Sequence, residues 1–117
     1  MYIRHEIGKL GEEIVTQYLN QKGYKIIERN STCKQGEIDI ICIDKKELVF
    51  IEVKTRTNDK FGKPVEAVDV NKKKHLFKAI KYYLYSRNLE NEYVRIDVIE
   101  VYLYEQSYRI NHIKQII

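Results

Sequence analysis

The sequence predicts a single α/β domain in which a mixed β-sheet is flanked by helices, with the element order α-β-β-β-α-β. Two segments carry apolar residues at steps of three and four, which is the period of an amphipathic helix. Between and after them lie β-branched segments of strand length. A length of 117 residues suits one hydrophobic core, and no linker, internal repeat or low-complexity tract divides the chain. We therefore expect residues 1–117 to fold as one domain.

The composition is that of a folded protein and excludes several classes. Hydrophobic residues make up 44% and charged residues 32% of the chain. No stretch approaches the roughly 18 consecutive apolar residues of a membrane span, and no secretion signal is recognisable. We therefore expect a cytoplasmic protein without a membrane partner. The cysteines, Cys33 and Cys42, are too few for a disulfide framework, and together with three scattered histidines they predict no thiolate metal site.

The first predicted helix covers residues 5–22. Its apolar residues recur at helical spacing, at Ile7, Leu10, Ile14 and Tyr18. Gly23 stands where a helix stops, and the segment YKIIERN that follows predicts a short strand.

The next two segments, GEIDIICID and ELVFIEVK, predict a β-hairpin that turns at Lys45 and Lys46. The turn is either a two-residue loop or the four-residue loop DKKE. Both forms pair residues whose numbers sum to 91. The polar segment 55–64, which carries a glycine and the only proline, predicts a surface loop directly after the hairpin.

The second predicted helix has Asn71 as its N-cap and continues through KKKHLFKAIKYYLYSRN. It places Leu76, Ile80, Tyr83 and Leu84 on one side and lysines on the other. The segment YVRIDVIEVYLY then alternates as a strand. The final segment YRINHIKQII fits either a last strand or a terminal helix, because short apolar runs do not distinguish the two.

The hairpin register gathers acidic and basic residues in one patch. Alternate residues of a strand share a face, so Glu52 and Lys54 project from the same side of the sheet. The predicted register places Asp39 opposite Glu52, with Cβ atoms roughly 5 Å apart. Opposed carboxylates repel, and a divalent cation such as Mg²⁺ is a suitable partner for their hard oxygen atoms. With Lys54 orienting a water or stabilising the transition state, such a site suits phosphodiester hydrolysis.

A purely structural interpretation competes with the metal site. Asp39 and Glu52 can instead be solvent-facing residues that form salt bridges with Lys54, which would contribute about 0 to 1 kcal/mol. A one-residue slip of the hairpin would also move Asp39 to the other face of the sheet. The isoleucines and valines around these charges favour strands that are buried on both faces.

Basic residues are concentrated in one part of the sequence. Ten lysines and arginines and three acidic residues lie between Lys54 and Arg87, so this stretch carries +7 in a chain whose net charge is +4. Such a stretch is typical of a surface that faces a polyanion, although a solvated lysine-rich helix has the same composition.

The sequence resembles a known superfamily. Asp39 followed by Glu52-Val53-Lys54 is similar to the Asp…(Glu/Asp)-x-Lys signature of the restriction-endonuclease-like superfamily. Longer motifs resemble one branch of it, the YraN family of uncharacterised bacterial proteins, which is itself similar to archaeal Holliday-junction resolvases. These motifs are Gly11-Glu12, Arg29-Asn30, GEID at residues 36–39, VFIEVKTR at residues 49–56, FGKPVEAV at residues 61–68 and RIDV at residues 95–98.

The resemblance implies a restriction-endonuclease-like core in which Asp39 and Glu52 bind Mg²⁺, or Mn²⁺ in its place. Lys54 would assist the water. Glu12 would reach in from the first helix as a further acidic ligand, which requires that helix to pack across the hairpin. The implied catalytic residues are therefore Glu12, Asp39, Glu52 and Lys54. Thr32 departs from the family pattern, which often has a basic residue there, and this puts one phosphate contact in question.

The function that follows is a Mg²⁺-dependent endonuclease, with branched or otherwise structured DNA as the implied substrate. The candidate DNA contacts are Arg56, Lys60, Lys63, Lys72, Lys73 and Lys74. They lie on the predicted loop and at the start of the second helix, where a helix N-terminus attracts phosphate. Because two strands must be cut, the resemblance to resolvases implies a homodimer.

Two other classes of function are open at this point. The first is a non-catalytic nucleic-acid-binding protein on the same fold. The second is a protein-interaction module that presents Tyr82, Tyr83 and Tyr85 to a partner.

Overall fold

The computed structural model describes residues 4–57 and 70–116. Within these ranges the chain forms two helices and five strands. They are α1 (Arg4–Gln21), β1 (Lys25–Cys33), β2 (Gly36–Asp44), β3 (Glu47–Thr57), α2 (Val70–Ser86), β4 (Val94–Leu103) and β5 (Tyr108–Ile113). The predicted order of helices and strands is confirmed, and the C-terminal segment is a strand. In the described ranges, no helix is both long enough and apolar enough to cross a membrane.

The five strands form one sheet in the order β1-β2-β3-β4-β5. β3 and β4 are parallel, and the other neighbouring strands are antiparallel. A parallel pair needs a long crossover connection, and α2 lies in the connection between β3 and β4. The architecture is therefore the mixed sheet with flanking helices that the sequence predicts.

Helix α1 covers one face of the sheet. Val15 and Leu19 are fully buried and pack in one cluster with Ile51 of β3. Burial of side chains of this size contributes about 1.5–3 kcal/mol each, which fixes the helix on the sheet. The helix ends because Gly23 adopts a φ of 87°, and the N–H of Tyr24 then donates to the carbonyl of Leu19 at 2.9 Å.

Helix α2 covers the opposite face of the sheet. Leu76, Ile80 and Tyr83 are buried together with Phe50 of β3. Phe50 lies next to Ile51 in the strand, and successive strand residues point to opposite faces. The ring of Tyr83 meets the ring of Phe50 edge to face, with 5.6 Å between centroids.

Two boundaries differ from the sequence prediction. α2 begins at Val70, so Asn71 lies inside its first turn and not at the N-cap. β3 extends to Thr57, so residues 55–57 are strand and not the start of a loop. The reason is the neighbouring strand, because β4 pairs with β3 as far as Thr57 and satisfies the backbone of these polar residues. The rest of the predicted loop lies outside the described residues.

A buried polar network attaches β5 to the sheet. The side chain of Asp97 on β4 is fully buried, and Arg95 donates to its two oxygens at 3.0 and 3.1 Å. The Nε2 atom of His112 on β5 lies 2.7 Å from Asp97, and its Nδ1 atom lies 2.8 Å from the hydroxyl of Tyr18 on α1. Burial alone would raise the pKa of Asp97, but these hydrogen bonds hold it below its usual value.

We expect Asp97→Asn to lower the free energy of unfolding at neutral pH by roughly 1–3 kcal/mol, because it removes the fully buried one of the three carboxylates that pair with Arg95, while Asp44 and Glu47 remain. A carboxyl whose pKa is lowered by folding stabilises the protein above its unfolded-state pKa, and the stabilisation disappears as the pH falls through the folded-state value. The difference between wild type and variant should therefore shrink below about pH 4. Urea denaturation at several pH values measures it. A difference that is constant with pH would contradict the electrostatic origin, and Glu105→Gln, at an exposed position between β4 and β5, is the control.

Candidate active site

The hairpin of β2 and β3 opens into a fork at its far end. The strands pair from Asp44↔Glu47 to Ile40↔Ile51, in the register that the sequence predicts. Beyond this point β2 continues along β1, whereas β3 continues along β4. The ladder therefore ends one position before Asp39 would pair with Glu52. Across the fork, the Asp39 carboxylate accepts a hydrogen bond from the N–H of Val53 at 2.8 Å.

Helix α1 packs closely over β3 beside the fork. Gly11 is buried there, and a Cβ atom at this position would collide with the Oγ1 atom of Thr55. Only a residue without a side chain permits this approach of helix and strand. The approach sets the half-buried Glu12 beside the fork, so α1 packs across the hairpin as the resemblance requires.

Three carboxylates from two elements meet beside the fork. Oxygen atoms of Glu12 on α1 and of Glu37 and Asp39 on β2 lie within 4.8 Å of one another. We call these three residues the carboxylate cluster. Asn30 of β1 faces it, and its amide nitrogen donates to Glu12 and to Glu37 at 3.0 Å each. The cluster thus collects three acidic groups around one neutral amide.

Two of these carboxylates have raised pKa values. Burial raises the pKa of Asp39, the nearby charge of Glu52 raises it further, and the result is about 8 despite the hydrogen bond from Val53. Burial also raises the pKa of Glu12, against the hydrogen bond from Asn30. The ionised forms of Asp39 and Glu12 are therefore disfavoured, and a bound cation would favour them.

Glu52 and Lys54 lie in the same cavity as Glu12 and Asp39. This cavity, of about 400 Å³, is bounded by α1 and by residues 52–57 of β3. The ammonium of Lys54 lies 3.2 Å from the carboxylate of Glu52. Glu52 is not one of the three carboxylates whose oxygens lie within 4.8 Å of one another, although its charge raises the pKa of both Glu12 and Asp39.

Arg56 lines the cavity as well, from β3 and not from the predicted loop. Its Nε and Nη2 atoms are buried and have no hydrogen-bond partner in the described structure. A buried donor without a partner costs about 1–3 kcal/mol, and a guanidinium is well suited to bind phosphate through two parallel hydrogen bonds. These donors could serve an anionic ligand in the cavity only if the side chain turned towards it, because they are buried as the structure stands.

Lys72, Lys73 and Lys74 are not among the described residues that line this cavity. Lys60 and Lys63 lie outside the described residues. Lys72, Lys73 and Lys74 lie in the first two turns of α2, where Lys72 and Lys74 are exposed and Lys73 is half-buried. They form a separate basic surface.

Two members of the site, Glu37 and Asn30, were not among the site residues predicted from the sequence. Glu37 lies two positions before Asp39 in the same strand. Alternate strand residues share a face, so the sequence could have placed Glu37 beside Asp39, as it placed Glu52 beside Lys54. Asn30 belongs to a motif of the family resemblance, but no local pattern predicts that its side chain reaches α1. That contact depends on the packing of α1 over β1 and β2.

The fold and the site define a class of protein. A mixed sheet with a helix on each face, and with acidic residues and a lysine at the fork, is consistent with a restriction-endonuclease-like core. The chain belongs to UPF0102, an uncharacterised protein family whose family model matches residues 11–101. This is the YraN family that the sequence motifs predict, and that prediction is confirmed.

Similar proteins match nearly the whole chain. A UPF0102 protein of Caldanaerobacter subterraneus subsp. tengcongensis is 47% identical over 110 residues, which cover 92% of this chain and 90% of the relative. One of Clostridioides difficile is 49% identical over 108 residues, with 92% and 93% covered. One of Clostridium botulinum is 44% identical over 116 residues, with 97% and 94% covered. These relatives are named only by their family.

We expect Gly11→Ala to lower the free energy of unfolding by about 1–3 kcal/mol, because its Cβ would force α1 away from Thr55. Gly8→Ala is the matched control on the same helix, since its Cβ would have nothing within 4 Å. It should stabilise the protein by up to about 1 kcal/mol, because alanine favours helix over glycine. Chemical denaturation of both variants measures the difference. Equal effects would show that the close approach at Gly11 is unimportant.

We expect Asp39→Asn to raise the melting temperature of the metal-free protein by a few degrees at about pH 7 to 8. A carboxyl whose pKa is raised to about 8 by folding stabilises the fold only while protonated, so ionisation above the unfolded-state pKa destabilises the wild type. Asparagine keeps an acceptor for the N–H of Val53. Thermal melts with a chelator should show the gain shrinking towards about pH 4. Destabilisation of the variant at pH 8 would contradict the charge argument.

Proposed function

We propose that this protein is a metal-dependent endonuclease that hydrolyses phosphodiester bonds of DNA. The observation that carries the proposal is the carboxylate cluster at the fork, which shares its cavity with Glu52, Lys54 and Arg56. The cluster provides ligands for a cation, and the two basic side chains suit a phosphate. A purely structural salt bridge accounts for Glu52 and Lys54, but it does not account for the three clustered carboxylates.

The donor atoms fit Mg²⁺ or Mn²⁺. All the candidate ligands are carboxylate oxygens, which these hard cations prefer. Glu12, Glu37 and Asp39 bring their oxygens within 4.8 Å of one another, and Glu52 lies in the same cavity as Glu12 and Asp39. A cation held there would relieve the repulsion that raises the pKa of Asp39. When bound, it supplies Lewis-acid activation of a phosphate and a lower pKa for water.

The side chains around the cluster have separate roles in this proposal. Asn30 holds the carboxylates of Glu12 and Glu37 in position through its amide nitrogen. Lys54, held by Glu52 at 3.2 Å, would orient the attacking water and stabilise negative charge that develops on the phosphate. Arg56, which also lines the cavity, would bind the phosphate itself once its buried guanidinium turns towards the cavity.

The proposed partner is DNA. The stretch from Lys54 to Arg87 is strongly basic, and Lys72, Lys73 and Lys74 place charge at the N-terminal end of α2, where phosphate binds favourably. The resemblance to resolvases favours a branched or structured substrate. Cleavage of two strands at such a substrate would need a homodimer.

A cleavage assay tests the proposal on linear, flapped and four-way-junction DNA, with Mg²⁺, Mn²⁺ or a chelator. We expect cleavage that needs the metal. Lys54→Ala should keep Mn²⁺ affinity and lose roughly 100-fold or more in rate, because Lys54 acts mainly in the transition state. Asp39→Asn and Glu12→Gln should lose cleavage and also weaken Mn²⁺ binding, which calorimetry on the metal-free protein measures.

Matched controls are Lys45→Ala and Glu105→Gln, which remove the same charges at exposed positions in turns. Both should behave as wild type. If the wild type cuts no substrate faster than the Lys54→Ala and Asp39→Asn variants, the enzyme proposal fails. A protein that then still binds DNA would be the non-catalytic nucleic-acid-binding protein of the alternative.

A further inference from the structure

A second groove lies on the other side of Asn30. It has a volume of about 410 Å³ and runs between the edge strand β1 and helix α2. We call it the β1–α2 groove. It is lined by Asn30, Ser31 and Thr32 from β1, by Ile38 from β2, and by Tyr82 and Tyr83 among the residues of α2. Asn30 therefore belongs both to this groove and to the surroundings of the carboxylate cluster.

The charges at the end of the groove compensate one another. The guanidinium of Arg87 lies over the ring of Tyr83, 4.0 Å from its centroid, and 3.2 Å from the carboxylate of Glu28. Ile38 and Tyr83 lie on the buried side of the groove, but its lining is mainly polar, with neutral hydroxyl and amide groups along β1. Neutral hydrogen-bonding groups beside tyrosine rings, with the charges of Arg87 and Glu28 paired, suit a nucleobase better than a phosphate.

The exposed face of α2 beside the groove is basic and aromatic. Lys74, Lys78 and Lys81 are exposed at helical spacing, and the helix contains no acidic residue. Tyr82 is 52% exposed and borders the groove, and Tyr85 is 69% exposed. Tyr83, the third tyrosine of this segment, is buried. Lysines for phosphates and exposed tyrosines for bases are the combination by which proteins bind single strands.

We propose that the β1–α2 groove holds an unstacked base of a single-stranded DNA segment, which stacks on Tyr82 while the adjoining phosphates lie on Lys78 and Lys81. In a duplex the bases are stacked on each other and cannot enter such a groove. Since Asn30 borders both the groove and the carboxylate cluster, the segment continues from the groove to the cutting site. The proposal rests on the proposed function and specifies its substrate class, DNA with a single-stranded stretch beside the cut.

Binding in a chelator tests the groove without cleavage. Fluorescence anisotropy compares a labelled single-stranded oligonucleotide of about 12 nucleotides with a duplex of the same length. We expect the single strand to bind more tightly. Tyr82→Ala should weaken single-strand binding by roughly 10-fold and change duplex binding little, because stacking is lost, whereas Tyr82→Phe should bind as wild type. The fluorescence of 2-aminopurine in such an oligonucleotide should be quenched when the wild type binds, and much less when the Tyr82→Ala variant binds.

Tyr108→Ala is the matched control, because Tyr108 is 54% exposed and lies on β5, at the opposite edge of the sheet. It should bind both DNAs as wild type. Equal losses for Tyr82→Ala and Tyr108→Ala, or equal losses for single strand and duplex, would overturn the groove proposal. If the wild type cleaves DNA but Tyr82→Ala binds normally, only the groove proposal fails. If nothing cleaves and single-strand binding still depends on Tyr82, only the nuclease proposal fails.

Discussion

The hydrogen bond from the N–H of Val53 to the carboxylate of Asp39 marks the point on which the candidate site depends. There β2 stops pairing with β3, and each strand follows its other neighbour. The separation leaves one edge of residues 52–57 without a partner strand, and α1 packs closely over the neighbouring face of β3 because Gly11 has no side chain. A fully paired hairpin would bury this edge and leave no cavity. The site is thus a consequence of where the ladder ends.

Two acidic groups on the same sheet have opposite electrostatic environments. Asp97 is surrounded by donors from Arg95, His112 and the backbone, and its pKa is lowered. Asp39 has a single backbone donor and three neighbouring carboxylates, and its pKa is raised to about 8. The fold can therefore compensate the charge of a buried carboxylate with hydrogen-bond donors. It does so at Asp97, which connects β4 to β5 through His112. A repulsive cluster in the same domain is typical of a functional site, where stability is given up for binding or chemistry.

The sequence predicted the elements well because their signals are local. The helix stripe of Ile7, Leu10, Ile14 and Tyr18 and the hairpin register follow from periods of 3.6 and 2 within short segments, although the most buried positions of the helix are the neighbouring Val15 and Leu19. The end of the ladder before Asp39 was not predictable in this way, because it depends on the arrangement of the whole sheet, in which β2 continues along β1 and β3 continues along β4 beyond this point. For the same reason the strand character of residues 55–57 was missed, since only the pairing with β4 holds these polar residues extended. Glu37 was within reach of the strand period, whereas the contacts of Asn30 required the packed structure.

Asn30 shows why the irregular strand β1 matters for both surfaces. Its φ is 53°, in the left-handed region that asparagine tolerates better than most residues, and the pairing of β1 with β2 shifts register between Ile26 and Glu28. A regular edge strand would present an even row of backbone groups and invite pairing with another chain. Here the irregularity interrupts that row, and the amide of Asn30 lies beside both the carboxylate cluster and the β1–α2 groove. The same strained residue therefore connects the proposed cutting site with the proposed base-binding groove.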